Sequence, residues 1–353
     1  YYSKVESYLH RRPPKQRQRK DNCYEFRQKN YCSTTNRYLQ ISFPKKEMTK
    51  DRYCLMTNDV ETTSILNHKL RDKTGEYVLR QGMPRLLDLY ERYGVKATFF
   101  YTGYIARLYP DVVRMAHSKG HEIGSHGLTH EVSQAIDILP RRIQLEHLAT
   151  SKKILEDITG EEVISFRAPA ARVDKKFCEV LNEAGYKIDS SVSSQRLDMF
   201  LSFGSLKKLN WITAPRKAYF TREDNIFRRG DSPIFEIPIS ALGFPYIGTF
   251  MRISPALNRL TRRMLYWETL ANGRQFNFLT HPNEFIDEDL ETDNIQRRAD
   301  NYIAYLLGDV LRHRLKVKNL GNKAIPILEK ELQFFKNKEF RFITCKDLYL
   351  TKK

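Results

Sequence analysis

No apolar run in the chain reaches the roughly twenty residues that a membrane-spanning helix requires, and no signal peptide is visible. The location expected from this is cytoplasmic, or peripheral at a membrane. Cysteine is sparse: Cys23, Cys32, Cys54, Cys178 and Cys345 are scattered, form no C-x-x-C pair and are odd in number. They outline no disulfide framework, so reduced thiols are the expected state; a Cys23–Cys32 bridge is open to the chain only if it is exported. There is no internal repeat. Acid is the scarcer charge, with 42 Asp and Glu against 60 Lys and Arg and a net charge of +18. Such a balance favours polyanions: nucleic acid, anionic lipid headgroups or phosphorylated glycans.

The 353 residues include 41% apolar side chains, enough for one large core or two smaller ones. Residues 1–50 stand apart. Arg11, Arg12, Lys15, Arg17, Arg19 and Lys20 crowd around Pro13 and Pro14 with few aliphatic residues. A solvated, partly disordered basic extension is expected there, able to rest on an anionic membrane surface. From residue 51 to 353 apolar runs alternate with amphipathic segments. Strands are expected at Tyr53–Thr57, Lys96–Tyr101, His121–Ser125, Val163–Phe166, Tyr186–Asp189, Ile234–Ile239 and Gln275–Leu279. Helices are expected from Pro84 to Gly94, over Ala106–Lys119 and Pro140–Thr159, and over Lys175–Ala184. Alternation with short connections argues for an α/β fold with a parallel sheet, open or closed into a barrel.

Polar residues fall repeatedly at the ends of these strands. Asp59 and Glu61, His126 and His130, Arg167, Asp189 and His281 each sit at or just past a C-terminal strand end, the edge where parallel α/β folds build their sites. His126 and His130 are four apart; a helix starting at Ser125 would stack both rings on one side, within reach of one metal ion. Carboxylate plus two imidazoles is the ligand set of catalytic zinc. Asp59 and Glu61 share a side in extended chain, so one can bind the metal while the other takes a proton from water; the plainer alternative for Asp59 is a helix cap. Arg167 precedes a small-residue turn and either holds a carboxylate in position or forms a surface ion pair. His281 suits a general acid, with Asp189 available to orient its ring.

In order along the chain, TNDVE, HGLTH, RAPA, DSS and LTH resemble the five motifs of the polysaccharide deacetylases with a NodB homology domain. The resemblance runs from residue 51 to 353 and implies a distorted (β/α) barrel that removes N-acyl groups, usually acetyl from an amino sugar, with one divalent metal ion, zinc by ligand type. Carried over by position, Asp59 would be the general base and Glu61, His126 and His130 the metal ligands. Arg167 would hold the base, the Ala170 backbone N–H would face the oxyanion, and Asp189 would tune the acid, His281.

The match departs from the family in three places. Asp-Val-Glu replaces the usual adjacent Asp pair, which resembles a branch including deformylases of lipid-linked amino sugars and amidases of small ureides. Ala170 stands where an aromatic residue is usual, and no Trp follows Asp189. The expected substrate is therefore an N-acylated amino sugar, acetyl or formyl, of a surface glycan or its lipid-linked precursor. The alternatives are a ureide or amide hydrolase of small molecules, and a non-catalytic glycan- or polyanion-binding protein on the same scaffold. Nucleic acid is not the expected partner, because a binding module has no reason to keep base, ligands and acid together.

Overall fold

The computed structural model describes residues 51–66, 69–196, 206–288, 310 and 312–353. The expected basic extension, residues 1–50, lies outside them. No helix among the described residues is long and apolar enough to cross a membrane.

The frame is a mixed, curled sheet. In chain order its strands are β1 (Tyr53–Val60), β2 (Thr98–Tyr101), β3 (Glu122–Ser125), β4 (Ser165–Phe166), β5 (Ile188–Asp189), β6 (Tyr219–Arg222), β7 (Asn225–Arg229) and β8 (Phe235–Glu236). The short β9 (Ala241–Leu242) and β10 (Phe244–Pro245) form a separate antiparallel pair; β11 (Phe276–Thr280) and β12 (Arg341–Phe342) complete the set. The order is β11-β1-β2-β3-β4-β5-β8-β6-β7, with β12 beside β1; every pair from β11 to β8 is parallel, and β6 joins antiparallel. The curl brings the chain after β8 back to β11: Ser240 N–H donates to the Asn277 carbonyl at 3.0 Å, and Ile247 bridges to Leu279 in parallel. This is the distorted barrel expected from the motifs.

Most helices and strands form where periodicity and stop signals place them. Met83–Tyr93 is helical, with Pro84 in its first turn and Gly94 in the left-handed conformation at its end. Arg141–Thr159 ends the same way at Gly160. One expected helix is two. Gly103–Leu108 and Pro110–Ser118 are separated at Tyr109, because Pro110 cannot continue a helix but starts the next one well. The antiparallel strands β6 and β7 and the helix Pro255–Asn272 were not expected from the sequence.

Alternation along the strands defines two faces. Leu55, Phe100, Ile188, Phe235 and Ile237 form one buried cluster inside the curl, closed off by Cys345, Leu348 and Tyr349 of the C-terminal helix. Cys54, Met56, Phe99, Tyr101, Phe166, Phe276 and Phe278 face the helices outside. Asp59 pairs with Phe100 in register and so belongs to the inner face.

Candidate active site

Asp59 is the penultimate residue of β1, and burial alone would push its carboxyl group up. The Arg167 guanidinium, with His126 and His281, reverses that and holds it below the ordinary carboxylate range. Arg167 follows β4 and is almost fully buried, so it is not a surface ion pair. Its Nη1 donates to Asp59 Oδ1 at 2.8 Å, Nη2 to Thr57 Oγ1 (3.0 Å) and Ser190 Oγ (2.7 Å), and Nε to the Ser190 carbonyl at 2.8 Å. The guanidinium also stacks 4.4 Å from the centre of the Phe100 ring. A planar fork pinned at four points fixes Asp59 in one orientation and leaves Oδ2 facing the mouth. Asp59 caps no helix.

Beside it, Glu61, His126 and His130 each present a ligand atom within 4.8 Å of the others. Glu61 Oε2 lies 3.2 Å from His130 Nε2. The histidines do not sit on a helix. After β3 the chain turns at Gly127, whose φ of +73° a side-chain-bearing residue adopts at a cost, and both rings converge from this loop with centroids 5.7 Å apart. His126 Nδ1 lies 2.8 Å from the Arg167 carbonyl oxygen. A carbonyl only accepts, so Nδ1 carries the hydrogen and Nε2 keeps its lone pair. Burial, foremost, and the neighbouring His130 keep this ring's pKa below its usual value despite Asp59. Two imidazoles beside a carboxylate, one with its Nε2 lone pair turned outward, are donors a divalent cation takes, so these residues fit a metal.

His281 follows β11 and points its Nε2 at Asp59 Oδ2, 3.9 Å away. Burial by itself would lower its pKa. Glu284, with Asp59 and Glu61, overrides that and pushes it up to about 9. Glu284 Oε1 is 3.3 Å from His281 Nδ1, and its Oε2 is 3.3 Å from Arg252 Nε; both Glu284 and Arg252 are fully buried. Thr249 donates a further hydrogen bond to Glu284 at 2.9 Å. Gly248 permits this approach, since any Cβ there would collide with the Glu284 carboxylate.

The carboxylate against His281 is therefore Glu284 and not Asp189, contrary to expectation. Ile188 lies in the inner cluster with Phe100, so Asp189, one residue on, points to the opposite face of the sheet from Asp59. There it pairs in register with Glu236 and accepts from Ser191 at 2.6 Å. Burial pushes both carboxyl groups up.

Residues 72–188 match the family model for polysaccharide deacetylase. A peptidoglycan deacetylase of Helicobacter pylori is 31% identical over 111 residues, 31% of this chain and 37% of that protein. A chitooligosaccharide deacetylase of Azorhizobium caulinodans is 29% identical over 105 residues, 30% of this chain and 49% of that one. The chain thus spans less than half the length of these relatives. In fold, it resembles structures described as polysaccharide deacetylases from Pseudomonas aeruginosa (TM-score 0.52, 15% identity, 83% of this chain and 89% of that one) and Mycobacterium smegmatis (0.50, 19%, 85% and 94%). Over residues 72–188, a third of its length, the chain thus matches the polysaccharide deacetylase family.

The polysaccharide deacetylase match contains His126, His130 and Arg167, whereas Asp59, Glu61, Asp189 and His281 lie outside its bounds. Ala170 sits in the turn Pro169–Ala171 after β4, exposed, with a left-handed φ of +52°. Sequence reasoning missed Glu284, Arg252 and Thr249. One signal was present: Glu284 follows His281 by three residues, across Pro282, and the single 3-10 turn Pro282–Phe285 folds it back beneath the ring.

Proposed function

We propose that the chain is a metal-dependent hydrolase that removes an acetyl or formyl group from the nitrogen of an amino sugar, in a surface glycan or its lipid-linked precursor. The observation that carries this reading is the convergence, at one barrel mouth, of His281 and His126 on Asp59 Oδ2, with Glu61 and His130 beside them. Glu61, His126 and His130 would hold the ion, zinc by donor type. Bound there, it supplies Lewis acidity, polarising an amide carbonyl and making water easier to deprotonate.

The chain's own residues do the proton work. Asp59, kept ionised by Arg167, takes a proton from the attacking water at Oδ2. His281, protonated at both nitrogens because Glu284 is beside it, gives the Nε2 proton to the departing amine, which leaves poorly without it. Glu284 is a positioning residue in the role first expected of Asp189, and Arg252 holds it from behind. The Ala170 N–H is assigned to the oxyanion, where backbone donors stabilise developing charge. The test is metal analysis of the purified protein together with acetate and formate release from a panel of N-acyl sugars. Protein that takes up no divalent ion when one is supplied, and releases neither acid from any of them, would refute the reading.

A further inference from the structure

The helix Pro255–Asn272 is built inside out. Its buried face carries Asn258, Thr261, Arg262 and Thr269, with Leu265 as the one aliphatic residue among them. Arg262 is accommodated there by Glu331 at 3.0 Å and by the Phe334 ring, 4.0 Å from its guanidinium. The solvent side carries the apolar residues: Leu260 is 53% exposed, Met264 50%, Trp267 70% and Leu270 50%. Leu260, Met264 and Trp267 fall at i, i+4 and i+7 and make one stripe along about two turns. A scattered exposed leucine needs no explanation, but a contiguous stripe ending in a tryptophan marks a surface meant to be covered.

Charge says by what. Arg259 and Arg263 are exposed along one border of the stripe, and no carboxylate is exposed on the helix. The helix's one acid, Glu268, is held by Arg216 at 2.7 Å and by Arg274. A second copy of this face therefore offers nothing to neutralise the arginines, whereas a layer of lipid phosphates does. The chain's net charge of +18 adds long-range attraction to the same surface.

We propose that the outer face of the Pro255–Asn272 helix docks on an anionic lipid bilayer, with Leu260, Met264 and Trp267 entering the boundary between headgroups and acyl chains and Arg259 and Arg263 pairing with phosphates. The contact holds the barrel against the membrane by its flank. It is independent of the catalytic reading.

The test uses the full chain and vesicles of equimolar phosphatidylcholine and phosphatidylglycerol, with pure phosphatidylcholine as control. Met264→Glu/Trp267→Glu should reduce partitioning about tenfold or more, since two charges would have to enter the boundary layer. Arg259→Ser/Arg263→Ser should cost roughly fivefold per arginine. The basic extension is common to all forms and cancels from the comparison. Trp211 is buried, so a blue shift of emission and quenching by lipids brominated on their acyl chains report Trp267. Exposed positions leave the thermal midpoint and turnover of a soluble substrate unchanged. Equal partitioning by the Met264→Glu/Trp267→Glu form, or emission untouched by acyl-chain bromine, overturns the proposal. So does a lipid-free wild-type oligomer or acidic-protein complex that this form dissolves while vesicle binding stays the same.

Discussion

Glu284 Oε1 stands 3.3 Å from His281 Nδ1, on the same short turn, and leaves Nε2 aimed at Asp59 Oδ2. This pair sets the alkaline limit of the proposed reaction. A general acid works only while protonated, and the His281 pKa is pushed up to about 9, so turnover should fall as pH rises past that value. Glu284→Gln keeps the shape of the contact and removes its charge. The limb should then move down toward 6.5, the ordinary histidine value, because burial remains and its compensation is gone. The pH profile of kcat on a soluble N-acyl sugar measures this. A limb that stays put in Glu284→Gln shows that the carboxylate does not hold the proton on His281.

Asp59 and Glu61 separate by what each loses. Asp59→Asn should abolish turnover and leave bound metal nearly intact, since the amide cannot take the proton. The same change leaves Arg167 buried opposite a neutral group, and removing one partner of a buried pair costs about 3–5 kcal/mol. A lowered thermal midpoint should therefore accompany the lost activity. Glu61→Gln should lose metal instead. Metal lost from Asp59→Asn but kept in Glu61→Gln would mean the two roles are exchanged.

His126→Ala should release most of the bound ion along with activity, as should His130→Ala. Elemental analysis after desalting decides it, and full occupancy in His126→Ala would eliminate the ligand assignment. His126 should be the more sensitive of the two, because its Nδ1 contact to the Arg167 carbonyl preorients the lone pair.

The motif residues were legible because each strand end carries a local signature: a polar group just after an apolar run. That sufficed to bring Asp59, Arg167 and His281 to one edge. The direction of Asp189 was not legible. A strand buried on both faces lacks the polar–apolar alternation that tells inner from outer, and Tyr186–Ser191 reads alike either way. Only the register with Phe235 and Glu236 resolves it. Glu284 was hidden for another reason: its meaning depends on Arg252 and Gly248, over thirty positions away, converging on it. The histidine pair was found by a spacing that suggested a helix, yet a loop turning at Gly127 delivers both rings.

The strongest test concerns His281 itself. An amine departs slowly from a tetrahedral carbon unless it is protonated, so the acid acts after water has attacked, at the collapse of that species. His281 extends β11 beside β1 and lies on the far side of Asp59 from His126, so base and acid approach each other from neighbouring strands. A plainer role, turning the chain before Pro282, predicts a stability defect and ordinary chemistry. Loss of the acid predicts the reverse. His281→Ala should keep its metal and fold but lose about two to four orders of magnitude in kcat, the usual worth of a positioned acid. The alkaline limb should disappear with it. Substrates whose leaving nitrogen needs no proton should be hydrolysed nearly as fast as by the unaltered enzyme, because the missing proton is then not required. Near-normal kcat on ordinary N-acetyl sugars, with the alkaline limb intact, would remove His281 from the chemistry.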